Sequence, residues 1–178
     1  MKNRIILLLI ASLSLFLSSC VQDSWTDGTL DYTFSPKTDS YGYFTSNGVY
    51  YNSDIYINTY ANYINYFNFN RSVVKISGNF YAGDLIDGLE IDIDRVGVYR
   101  IPSFAITSNN VDQEITIVDS YYDSSFNSFM AQAFNVMSTY GSHDVIVRGY
   151  VLNRNNSPVV NCQVYVDFYN DLDVNVSN

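Results

Sequence analysis

Histidine, cysteine, proline and basic side chains are all scarce in this chain, and each shortage closes off a class of chemistry. The one histidine, His143, cannot furnish a multi-histidine metal site, and two cysteines cannot build a four-cysteine zinc site. His143 stands in "GSHDV" beside Ser142 and Asp144. A Ser-His-Asp triad is a spatial constellation, so adjacency along the chain gives it no support. We expect His143 in a turn ahead of a strand. No G-x-S-x-G elbow, phosphate-binding glycine loop or dinucleotide fingerprint occurs, so the expectation is a non-enzyme without a cofactor. Nine basic residues face 18 acidic ones, the opposite of the basic footprint that nucleic-acid binding needs. Long apolar runs are also missing, with one exception at the start of the chain.

That exception follows Lys2 and Arg4. Ile5 to Leu17 is apolar apart from Ser12 and Ser14, and Ser18, Ser19 and Cys20 come next. A basic start, a short apolar run and small residues before a cleavage point describe a secretory signal. The run falls short of the roughly 20 residues that a membrane-spanning helix requires. Leu17-Ser18-Ser19-Cys20 resembles the lipobox of bacterial lipoproteins. The resemblance covers residues 1–20 only. It implies cleavage before Cys20, acylation of its sulfur and new amino terminus, and attachment to the cell envelope. Val21 is not aspartate, which by the same resemblance implies the outer membrane. One acyl chain binds a bilayer only marginally, so stable anchoring needs the several chains that such a cysteine carries. Removing Lys2 and Arg4 with the signal leaves 7 basic against 18 acidic residues, a net charge of −11. The expected layout is a signal peptide at 1–19, a lipidated flexible tether at 20–28 and one domain at 29–178.

What the chain has in abundance is tyrosine and phenylalanine, 17 and 11 residues. Aromatic and β-branched residues favour strands. Strand-like runs recur about every ten residues, a spacing typical of sandwiches and barrels. They fall at 73–81, 89–94, 96–106 with a break at Pro102, 114–122, 144–152 and 159–169. Asn47-Gly48 between aromatic runs predicts a hairpin turn. Phe126, Phe129, Met130, Ala133, Phe134 and Met137 recur at helical spacing. They predict a helix over 125–138, with Asp123, Ser124 or Ser125 as its cap and Gly141 as its stop. The expected fold is an all-β, immunoglobulin-like or related sandwich with this one helix. The alternative is a lipocalin-like barrel, which would hold a small apolar ligand.

Residues 41–69 carry eight tyrosines. In a strand register Tyr56, Asn58, Tyr60 and Asn62 share one face, while Ile55, Ile57 and Ala61 share the other. Tyrosine offers a large stiff contact surface and asparagine offers adaptable hydrogen bonds, the pairing used in antibody paratopes. This face is the candidate contact surface for a protein or a glycan. Glu90, Asp92 and Asp94 in "LEIDID" lie on one strand face and form a weak calcium candidate, with a solvated acidic face as the plainer reading. Cys162 is expected on the apolar side of its strand as an inert thiol. The functional expectation is a membrane-anchored, non-catalytic binding, adhesion or accessory protein, with the barrel carrier as the alternative. Cys20→Ala should abolish acylation and leave the protein uncleaved or released from membranes. Fatty-acid labelling and fractionation check this, and wild-type behaviour of the mutant would refute it.

Overall fold

The computed structural model describes residues 23–59, 63–107 and 113–177. In chain order the strands are β1 (Ser24–Thr29), β2 (Tyr32–Phe34), β3 (Tyr43–Tyr51), β4 (Tyr56–Ile57), β5 (Tyr63–Gly78), β6 (Leu85–Ile93), β7 (Gly97–Ile101), β8 (Phe104–Ala105), β9 (Ile115–Asp119), β10 (Ser142–Leu152) and β11 (Val164–Ser177). Among the described residues the one α-helix, α1 (Ser124–Tyr140), lies between β9 and β10 in sequence, and a single 3-10 turn spans Asn52–Asp54. Two antiparallel sheets result. The larger runs β4-β1-β11-β5-β9, with β2 also on β11. The smaller runs β3-β10-β6-β7, with β8 on β6.

Strand alternation builds the core. Along β11, Val164, Val166, Phe168, Leu172, Val174 and Val176 are buried. Asn170 also turns inward, and its amide donates to the Leu30 carbonyl at 2.6 Å. Tyr165, Asp167, Tyr169, Asp171 and Asp173 alternate with these on the outer face. Along β10, Val145, Val147 and Val151 turn inward from the other sheet. Contacts between the sheets are aromatic. Tyr32 of β2 lies 4.1 Å from Tyr50 of β3 by ring centroid, and Phe34 meets Tyr50 edge-on. Alternation in β6 shifts phase between Ile86 and Leu89. There Gly88 and Leu89 together oppose the single residue Gly149, and Gly88 has φ +57°. This is a β-bulge with a left-handed glycine. A Cβ on Gly149 would lie 3.0 Å from the Phe44 ring and 3.2 Å from the Leu89 Cα, so a side chain there would crowd both.

The helix obeys its sequence signals. The Asp123 carboxylate accepts a hydrogen bond from the Phe126 N–H at 2.9 Å, and Gly141 ends the helix at φ +84°. Phe126, Met130, Ala133, Phe134 and Met137 are buried against β5, β9 and β10. The Tyr99 hydroxyl of β7 donates to the same Asp123 at 2.7 Å, and its ring packs on Phe126 and Phe129. These two bonds hold the Asp123 carboxyl below its ordinary pKa. The helix therefore touches both sheets along one side of the sandwich.

Several expectations are corrected. Among the described residues no strand of one sheet pairs with a strand of the other, so the sheets do not close into a barrel, and the helix packs on both. Asn47 and Gly48 form no turn but pair with Ile146 and Val145 inside β3. The tether does not extend to residue 28, because β1 begins at Ser24 and pairs with β11 from Ser24↔Val176 onward. Val160 is exposed and precedes the last strand.

His143 is inside β10, not in a turn, and is only 2% exposed. Its Nδ1 lies 3.0 Å from the Ala133 carbonyl, which can only accept, so Nδ1 carries the proton. Nε2 then accepts from the Tyr32 hydroxyl at 2.8 Å. Burial pushes the His143 pKa below its ordinary value, so the fold favours the neutral ring. That stability is complete above the unfolded histidine value, about 6.5, and is lost as pH falls from there through the lowered folded value. Asp31 and Asp167 act with the opposite sign, because burial raises their pKa values. The melting temperature should thus fall more steeply between about pH 6.5 and 5 in wild type than in His143→Gln. Equal slopes would refute a neutral buried His143.

Candidate functional site

The outer face of the larger sheet carries the polar and aromatic residues that alternation turns away from the core. Tyr56 lies there, exposed, opposite Thr29 of β1, while neighbouring Ile55 is buried as expected. Asn58 is also exposed. Tyr60 and Asn62 fall outside the described residues, as does Cys20. The Tyr/Asn alternation expected for 56–62 recurs further along, in "YFNFN". Here Phe67 and Phe69 turn inward, and Tyr66, Asn68 and Asn70 are exposed. Trp25 of β1 meets Tyr66 edge-on at 5.3 Å, across the buried Asn175. Asn65 bridges Asn175 at 2.9 Å and Asp23 at 3.3 Å.

A cleft of about 430 Å³ opens where β5 meets the turn before α1. Asn70, Arg71, Ser120, Tyr121, Tyr122 and Asn127 are among its lining residues. The turn is built on Asp119. Its carbonyl accepts from the Tyr122 and Asp123 N–H groups, and its carboxylate accepts from Tyr121 N–H at 2.9 Å. Arg71 grips the same carboxylate through both Nε and Nη2 and holds its pKa below the usual range. Beside this clamp the Tyr121 and Tyr122 rings stand 76% and 83% exposed, edge to face at 4.9 Å. The arrangement presents aromatic faces, amides and hydroxyls on a fixed turn, which suits recognition. Apolar alternation predicts a strand over 114–122 and so hides this pair, since β9 stops at Asp119. The signal in the sequence is two tyrosines directly before a helix-capping aspartate.

Arginines pair with Glu90, Asp92 and Asp94, the acids of the calcium candidate. Glu90 accepts from Arg100 at 2.7 Å and Arg148 at 2.8 Å, and these partners lower its pKa. Asp92 lies 3.4 Å from Arg148, and Asp94 lies 3.3 Å from Arg95. Each of these carboxylates thus has a guanidinium partner within 3.4 Å. Among the described residues no group of three His, Cys, Asp or Glu is placed to hold a metal.

No family model and no curated protein matches the chain. Among solved structures, a semi-empty virus-like particle of Macrobrachium rosenbergii nodavirus matches 90% of this chain and 98% of its own at 8% identity and TM-score 0.42. A second structure of that nodavirus matches 90% of this chain and 55% of its own at 11% identity and TM-score 0.45. The Desmodium yellow mottle tymovirus structure matches 84% and 88% at 11% identity and TM-score 0.32. Likenesses this distant bear on no activity of this chain.

Cys162 is buried, with its sulfur near the carbonyl of Asn79. Burial, with Asp84 nearby, pushes its thiol pKa up to about 11. The thiolate is the reactive form. The folded protein should therefore resist thiol reagents at pH 8, and labelling should appear only with unfolding. Rapid labelling without denaturant would refute this.

Proposed function

We propose that this chain is a lipid-anchored envelope protein, attached through Cys20 to the outer membrane, that binds a protein or glycan without transforming it. The tyrosine pair of the cleft carries the reading. Tyr121 and Tyr122 are among the most exposed large side chains, yet Asp119, Arg71 and the helix cap fix the turn that bears them. Rigid exposed tyrosines supply contact area at little entropic cost, and Asn70, Asn127 and Ser124 beside them supply hydrogen bonds. The acidic surface disfavours polyanions, so the partner is neutral or basic. The carrier alternative loses its basis with the barrel.

Tyr121→Ser combined with Tyr122→Ser tests this. Exposed substitutions usually change stability by within about 0.5 kcal/mol, so the double mutant should melt like wild type. Truncating an aromatic at the centre of an interface costs on the order of 1–2 kcal/mol, so binding to glycan arrays and to partners recovered by pull-down should fall tenfold or more. Tyr56→Ser serves as comparison. If only Tyr56→Ser weakens binding, the contact surface is the one marked by Tyr56 and Asn58.

A further inference from the structure

Trp25 is the single tryptophan of the chain, and it is 52% exposed. Tyr66 and Tyr63, 49% and 74% exposed, stand on the same end of the larger sheet. That end is set by register: Ser24 pairs with Val176, and Tyr63 pairs with Ser177. It is also the end where the chain enters the fold. From Cys20 to Ser24 there are four residues, which span at most about 14 Å when fully extended. An anchor at Cys20 therefore cannot hold this end far from the bilayer.

We infer that Trp25, Tyr63 and Tyr66 form an aromatic footing that rests in the headgroup layer of the membrane to which Cys20 is attached. This rests on the lipid-anchor reading above. Tryptophan and tyrosine have apolar rings and a polar edge, and so favour a boundary that is dry on one side and wet on the other. The Trp25–Tyr66 edge contact and the Asn65–Asn175 bond beside it fix the rings on the sheet. Charge selects the kind of lipid. Asp23, Asp27 and Asp173 surround the footing, and Asp27 pairs directly with Asp173 across the strands. An anionic surface would be repelled, so the footing suits zwitterionic headgroups. Geometry also orients the domain. Arg71 pairs with Asp171 and Tyr63 with Ser177, which stand six rungs apart on β11, or about 20 Å at strand rise, and this carries the tyrosine cleft away from the bilayer.

The single tryptophan makes the test direct. The processed chain, acylated at Cys20, is reconstituted in phosphatidylcholine vesicles, with and without lipid bearing a quencher near the headgroup. Membrane attachment is measured in parallel by flotation. The inference expects the vesicle-bound protein to show blue-shifted Trp25 emission, strong quenching by the labelled lipid and severalfold lower access to iodide. Tyr63→Ser with Tyr66→Ser, confirmed as folded by circular dichroism, should restore iodide access while the protein still floats. Attached protein whose Trp25 stays open to iodide and unquenched by lipid overturns the footing and leaves the anchor reading intact. Trp25 shielded from iodide but unquenched by lipid means that a protein covers it, and also overturns the inference. A full-length chain that emerges from a lipoprotein-processing host without an acyl group, and fails to float, overturns both readings.

Discussion

The β5–β11 ladder is the constraint on which the rest of this structure hangs. The two longest strands run antiparallel from Val164↔Gly78 to Ser177↔Tyr63. β11 receives β1 and β2 on its other edge, and β5 receives β9 on its other edge. One face of the ladder supplies much of the core, and the helix lies partly on β5. Two register shifts interrupt it, near Asn70 and Asn65. Both fall where the outer face changes character. The first brings Asn70 and Arg71 to the tyrosine cleft, and the second frees Asn65 to bridge toward β1. Irregularities in a ladder bend the strand and redirect side chains, and here they adjoin each of the two aromatic surfaces.

The helix is legible in the sequence because its information is local. Apolar residues at steps of three and four, an aspartate before them and a glycine after them need no partner to be read. The two-sheet architecture follows from the spacing of alternating runs. Asn47-Gly48 fails as a turn because β10 lies alongside and offers every residue of β3 a ladder partner, which overrides a local preference. β1 escapes detection for the converse reason. "SWTDGT" has little strand character of its own, and its conformation is dictated by residues about 150 positions later. The burial of His143 is invisible for a similar cause, since its partners Tyr32 and Ala133 come from a different strand and from the helix. Tyr56 and Asn58 are exposed as alternation predicts, but the extent of the aromatic surface depends on which strands become neighbours.

Electrostatics divides the molecule into two unlike faces. On the smaller sheet, Glu90 sits between Arg100 and Arg148, so acids and bases interleave across three strands. On the larger sheet, Asp167, Asp171 and Asp173 project from one strand, and Asp27 and Asp31 flank them. Burial and mutual repulsion raise the pKa values of Asp31 and Asp167. The excess negative charge of the chain is therefore concentrated on the face that also carries Trp25, Tyr66 and Tyr165. Basic groups there are committed: Lys75 to Glu114, and Arg71 to Asp119.

The antiparallel seam between β1 and β11 also decides how the domain bears load. Any tension applied through the N-terminal segment enters at Ser24 and is directed along β1. When the opposing pull acts at the far end of the sheet, the seam is stressed in shear. The hydrogen bonds between Ser24↔Val176 and Thr29↔Asp171 must then yield together and not one after another. A strand pulled sideways from its first residue would peel, and each rupture would expose the next. This geometry resists by summing its bonds, so a first strand with weak intrinsic preference becomes a mechanically firm attachment.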